Sequence, residues 1–117
     1  MEEFEFNYDV DNDDLFLFDK KGHSKGSVEF GDLIFDFDKT SKIVGIEIMN
    51  ATKFLKKLSK ETDTEEMLLT LKKCIVEQSL NNNYIIFIIY FFSKGVEVKV
   101  PMTIPCVEHS SPALVYA

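Results

Sequence analysis

The sequence predicts an α+β domain: an antiparallel β-meander packed with two amphipathic helices and followed by a C-terminal β-hairpin. Three observations carry this. Apolar residues alternate with period two from Phe4 to Ile48, the spacing of half-buried strands. Between Ala51 and Gln78 they recur at three- and four-residue intervals, the spacing of one helical face. From Tyr84 to Ile104 the chain returns to strand-like runs broken by Ser93-Lys94-Gly95, a short hairpin loop.

Each element has its own signal. Phe4, Phe6, Tyr8 and Val10 alternate with Glu5, Asn7 and Asp9 as a first strand, and Asp11-Asn12-Asp13-Asp14 is turn chemistry. Leu15 to Phe18 closes an N-terminal hairpin, the polar stretch from Lys20 to Gly26 is a loop, and Ser27 to Phe30 is a weak third strand. Gly31-Asp32 turns into a hairpin of Leu33 to Asp38 and Ile43 to Met49, joined by Lys39-Thr40-Ser41-Lys42. With Asp38 set opposite Ile43, Asp36 falls opposite Gly45 and Ile34 opposite Glu47. Gly45 leaves a side-chain gap beside Asp36 that suits a bulge or a close approach.

Asn50 is a suitable N-cap for a helix whose apolar stripe is Ala51, Phe54, Leu55 and Leu58. A second helix starts near Asp63 or Thr64, carries Met67, Leu68, Leu71, Cys74, Ile75 and Gln78, and stops at Asn81-Asn82-Asn83. Tyr84 to Phe92 is a nine-residue run with no polar face. Such a strand is covered on both sides or paired across a subunit interface. Val96 to Ile104 alternates, and Pro101, lacking an N–H, puts that strand at a sheet edge or ends its ladder there.

Composition narrows the function. A chain of 117 residues with 45% hydrophobic and 28% charged residues is one domain able to bury a core without staples. Eleven phenylalanines and no tryptophan favour a sheet-rich interior. The net charge of −7 is uneven. Residues 1–38 hold twelve acids and three lysines (−9), residues 39–60 one acid and six lysines (+5), and the rest seven acids and four lysines (−3). An acidic chain argues against nucleic-acid binding, and the lysines from Lys53 to Lys60 read as a solvated helix face pairing with the acidic hairpins. Cys74 and Cys106 are single thiols, expected free in a reducing compartment. The start Met-Glu-Glu-Phe-Glu has no signal-peptide pattern, and no apolar run approaches the ~20 residues of a membrane helix. A cytoplasmic location without membrane contact is the expectation.

The clearest candidate site is the acid cluster Asp36, Asp38 and Glu47, set on one face of the central hairpin by the register above. Oxygen ligands on a rigid hairpin suit a hard cation, Mg²⁺ or Ca²⁺. The alternative has Asp38 capping the turn, Asp36 occupying the space over Gly45, and Glu47 meeting a lysine. The run Asp9-Val10-Asp11-Asn12-Asp13-Asp14 lacks the glycine and glutamate of an EF-hand loop. His23 and His109 stand away from any serine or cysteine motif, and no phosphate loop, HExxH or dinucleotide fingerprint occurs.

Several segments in order carry a family resemblance: Tyr8-Asp9, an acidic turn, Asp14-Leu15-Phe16-Leu17, Ile34-Phe35-Asp36-Phe37-Asp38, Ile43-Val44-Gly45-Ile46-Glu47-Ile48, then Ala51-Thr52. Over about residues 6–55 this resembles the small prokaryotic family known as domain of unknown function 2283, with its Y-D-x-x-x-D-x-L-Y-I, V-x-D-Y-D and L-V-G-I-E-I-L-x-A-S pattern. Here phenylalanines replace tyrosines, Met49 replaces leucine and the second acid of the first turn is shifted. The resemblance implies a compact sheet-and-helix domain and brings no established activity. Residues 1–58 are the family-like part of the domain and 59–117 an extension.

The resulting expectation is a small binding or interaction protein without enzymatic activity or cofactor, homodimeric through its over-apolar strand. One alternative is an antitoxin-like cap of a basic protein partner. Another is a divalent-metal-dependent hydrolase built on Asp36, Asp38 and Glu47.

Overall fold

A computed structural model describes residues 1–58, 63–81 and 83–105. Among them, eight strands form one sheet and two short helices close one end. The strands are β1 (Glu2–Asp9), β2 (Asp14–Phe18), β3 (Gly26–Phe30), β4 (Leu33–Phe37), β5 (Ile43–Ile48), β6 (Leu71–Leu80), β7 (Tyr84–Ser93) and β8 (Val96–Pro105). The helices are α1 (Ala51–Leu58) and α2 (Thr64–Leu69). All neighbouring strands run antiparallel.

The spatial order is β3-β4-β5-β2-β1-β6-β7-β8. The first five strands are therefore not the simple meander expected. After β2 the polar stretch from Asp19 to Lys25 carries the chain to the far edge. β3, β4 and β5 then return inward, and β5 pairs with β2. The reason is burial: β5 is the most apolar strand of the first half and nearly all of it is buried, so it takes a central place between two partners.

The expected long second helix is the larger correction. α2 begins as anticipated, with the Asp63 carboxylate accepting from the Glu66 amide, but it ends at Leu69. Residues 71–80, including Cys74, form strand β6. A register shift between Leu71 and Lys73 mimics helical spacing in the sequence, while Cys74 and Val76 face the core on alternation. β7 supplies the driving force, since a fully apolar strand needs hydrogen-bonded neighbours on both edges. Asn81 and Asn83 lie in the β6–β7 connection, where the Asn81 N–H donates to the Tyr84 carbonyl, and Asn82 lies outside the described residues. The last hairpin forms where anticipated, but Ser93 ends β7 and pairs with Val96, so the turn is Lys94-Gly95 alone, with Gly95 at φ +70°; the ladder continues past Pro101, which lies on the edge strand β8.

The sheet curls around a single core. β4 and β7 stand five positions apart, which in a flat sheet would separate them by about 24 Å. Instead the rings of Phe35 and Phe87 meet edge-to-face at 5.4 Å between centroids. β1 makes the corner: Glu5 to Asp9 pair with β2, and Glu2 to Phe4 pair with β6. Gln78 closes the seam between β6 and β5. Its side-chain amide donates to the Ile43 carbonyl at 2.9 Å and accepts from the Ile43 N–H at 2.8 Å. The side chain of one strand thus imitates the backbone of another.

Candidate functional site

The outer surface of β2, β5, β4 and β3 holds the acid hairpin. Cross-strand pairing sets it in two rows: Phe18, Gly45, Asp36 and Ser27, then Phe16, Glu47, Ile34 and Glu29. Aromatic, aliphatic and acidic side chains thus alternate along an open groove of about 480 Å³, bordered by Val44 and the loop carrying Asp19, Lys20 and Gly22.

The three sequence-predicted ligands fare differently. Asp36 lies across Gly45, where a Cβ would come 2.6 Å from its Oδ2, and Oδ1 accepts a hydrogen bond from the Ser27 hydroxyl. Any side chain at position 45 would have to push the Asp36 carboxylate aside. Glu47 sits diagonally beside it. Among the described residues it meets no lysine, unlike the alternative raised from sequence. Its carboxyl is pushed above the usual glutamate range, first by burial and then by the charges of Asp14, Asp36 and Glu29.

Asp38 lies just past the end of β4 and does not line the groove that Asp36 and Glu47 share. The β4–β5 ladder slips between Asp36 and Phe37, so Phe37 rather than Asp38 opposes Ile43, and Val44 is the extra residue of the bulge. Asp38 instead organises the turn. Its Oδ1 accepts from the Thr40 amide, the Thr40 hydroxyl and the Lys42 amide at 2.7–3.0 Å. Burial works to raise its pKa, but these bonds and the Lys42 charge outweigh it and hold the carboxyl below the usual range. Among the described residues, no three His, Cys, Asp or Glu side chains are grouped to hold a metal ion.

Residues outside the groove build the frame. Asp13, at φ 54°, accepts from Tyr8 Oη at 2.5 Å and from Thr52 Oγ1 at 2.7 Å, and its carboxylate oxygens lie 3.2 Å from the Thr52 amide. It caps the start of α1 from another part of the chain. The expected cap, Asn50, has φ 50° and donates its side-chain amide to Asp32. The Tyr8 hydroxyl is shifted strongly upward, by burial first and by Asp13 second. Asp9 braces the first turn through Asn12.

Cys74 is a buried free thiol with its pKa pushed up to about 12 by burial, so it packs as a small hydrophobe. His23 is exposed in a loop. Lys53, Lys56 and Lys57 are exposed on α1. The ion pairs among the described residues, Lys20–Glu5 and Lys42–Glu2, use other lysines. Lys60, Cys106 and His109 lie outside the described residues.

Sequence reasoning passed over Phe16 and Phe18 as site residues. Their signal was present: β2 reads Asp-Leu-Phe-Leu-Phe, with Leu15 and Leu17 committed to the core and an aromatic pair left for the other face. It also read Asp13 as a solvated turn residue. Its role depends on Thr52, thirty-nine positions away.

Fold and site define a small α+β protein whose distinctive surface is an open groove of aromatic and acidic side chains on a curled sheet. Residues 5–51 match the family described as Protein of unknown function (DUF2283). This is the segment that forms β2 to β5 and most of β1. An uncharacterized protein of Methanocaldococcus jannaschii is 40% identical over 47 residues, covering 40% of this chain and 40% of that relative. The chain is therefore similar to a small family without assigned function over its first half, and β6 to β8 lie beyond that similarity. No solved structure matches it. No helix among the described residues is long and apolar enough to cross a membrane.

Proposed function

We propose that this protein is a non-enzymatic interaction module, acting in the cytoplasm as a homodimer, whose groove receives a basic segment of a partner protein. The observation that carries the reading is the chemistry of the groove. Phe16, Phe18 and Ile34 offer apolar contact to the stem of a lysine or arginine, and Asp36 and Glu47 offer carboxylates to its head. No cation pairs with Asp36 or Glu47 among the described residues. The upward shift of Glu47 reflects a site where negative charge is crowded and partly buried. A cationic side chain relieves that crowding and gains cation–π contact with the ring faces. The buried free thiol of Cys74 supports a reducing compartment.

The test is calorimetric titration of a lysine-rich peptide into the protein at two salt concentrations. Binding that weakens with salt, and about tenfold on Glu47→Gln, supports the reading. Equal affinity for the variant overturns the groove as the site. Mg²⁺ and Ca²⁺ titrated into the same sample address the competing reading, in which Asp36 and Glu47 share a divalent cation. Stoichiometric binding lost in Asp36→Asn favours that reading instead.

A further inference from the structure

The nine-residue apolar run has one covered face only. Ile85, Phe87, Ile89 and Phe91 point into the core. Tyr84, Ile86, Ile88, Tyr90 and Phe92 form a stripe on the outside, with Tyr84 47% and Ile86 43% exposed. The stripe runs down the middle strand of β6-β7-β8, away from the acidic groove. Its flanks carry balanced charge in a chain of net −7. Lys73 and Glu77 lie on β6, and Glu97 and Lys99 on β8. Lys73 Nζ stands 5.3 Å from the Phe92 ring centroid and Lys99 Nζ 5.7 Å from that of Tyr90, so both ammoniums lie on this outer face.

We propose that this face docks a second copy of the chain, sheet against sheet, about a two-fold axis running along β7. The homodimer reading above is assumed, and this adds the surface and its register. The argument is charge complementarity. Lys73 and Glu97 are the two cross-strand partners of Phe92, so they stand at the same height on opposite sides of β7. A two-fold along β7 lays β6 of one copy over β8 of the other. Each Lys73 then meets the other copy's Glu97, twice per dimer. Glu77, level with Ile88, and Lys99, level with Tyr90, fall into diagonal reach in the same arrangement. A two-fold across the strands would carry Lys73 to the Tyr84 end of the stripe instead, where no lysine or glutamate flanks it on β6 or β8. Aligned sheets packing about 10 Å apart bury such a stripe against its own image.

The test is a charge-swap cycle read by sedimentation equilibrium, with folding of each exposed-site variant checked by circular dichroism. The unmodified chain is expected to dimerise. Lys73→Glu and Glu97→Lys are each expected to weaken self-association about tenfold, because each places like charges together twice. An equimolar mixture of the two variants restores attraction at both contacts and is expected to recover the original affinity as a heterodimer. A dimer indifferent to both swaps, or a mixture that fails to recover, leaves the homodimer reading standing and overturns this face. A monomer at every concentration overturns both. A monomer whose stripe resists solvent labelling assigns the face to the chain's own segment 106–117.

Discussion

Glu47 and Asp38 are two carboxylates of one hairpin with opposite linkage to folding. Glu47 binds its proton more tightly in the folded chain, through burial and the facing acids Asp14, Asp36 and Glu29. In the window just above its ordinary value of 4.5 the folded state therefore holds more protons than the unfolded state. Its contribution to stability falls as pH rises through that window. Asp38 binds its proton less tightly when folded, so its stabilisation is present above 3.8 and is lost as pH falls towards the folded value. Glu47→Gln is expected to raise stability at pH 7 by about 0.5 kcal/mol, a modest gain because the site is partly solvated. The difference should vanish below pH 4, as measured by urea denaturation across pH. The turn role of Asp38 was legible because its partners lie two and four residues away. The surroundings of Glu47 were not, because Asp14 reaches it only through the pairing of β2 with β5.

β6 illustrates how a neighbour decides an element. Leu71, Cys74, Ile75 and Gln78 fit a helical stripe in isolation, yet Ile75-Val76 is β-branched and β7 pairs with residues along the length of this segment. Non-local pairing outweighs a weak local preference for helix. Gln78 then acquires a task that helical geometry would not permit, serving the Ile43 amide and carbonyl at the bulged end of β5. Gln78→Ala is expected to cost about 1–3 kcal/mol, because two backbone groups lose their partner. Hydrogen exchange at the Ile43 amide should accelerate selectively. Unchanged protection there would remove the seam from the account. α1 was legible because its stripe and its helix-forming lysines agree, although its cap came from Asp13 rather than Asn50.

The curled sheet joins the family-like half to the extension through one core. Phe35 belongs to the first and Phe87 to the second, both essentially without solvent exposure. Phe87→Ala is expected to destabilise the chain by about 3–5 kcal/mol, the usual cost of emptying a fully buried aromatic site. The urea transition should stay single, because buried residues of both parts pack in one cluster. Two separate transitions would mean that residues 1–58 fold alone. The outer surfaces of the two halves differ in kind. One is a groove of acids and phenylalanines, and the other is an apolar stripe with balanced charge on its flanks. On the proposals above, the first surface is the one offered to a basic partner and the second the one offered to a second copy.

What the sequence determined by itself is local or periodic. It set the five early strands, the starts of both helices, the C-terminal hairpin, the edge position of Pro101 and the Gly45–Asp36 juxtaposition. Each depends on residues within a few positions, or on alternation that solvent and core impose directly. Tertiary structure alone decided the strand order, the conversion of residues 71–80 to a strand, the capping of α1 by Asp13, and the separation of Asp38 from Asp36 and Glu47. These depend on contacts between distant segments, where burial of β5 and β7 outweighs local preference, and, for Asp38, on the turn amides and hydroxyl that engage its carboxylate beyond the end of β4.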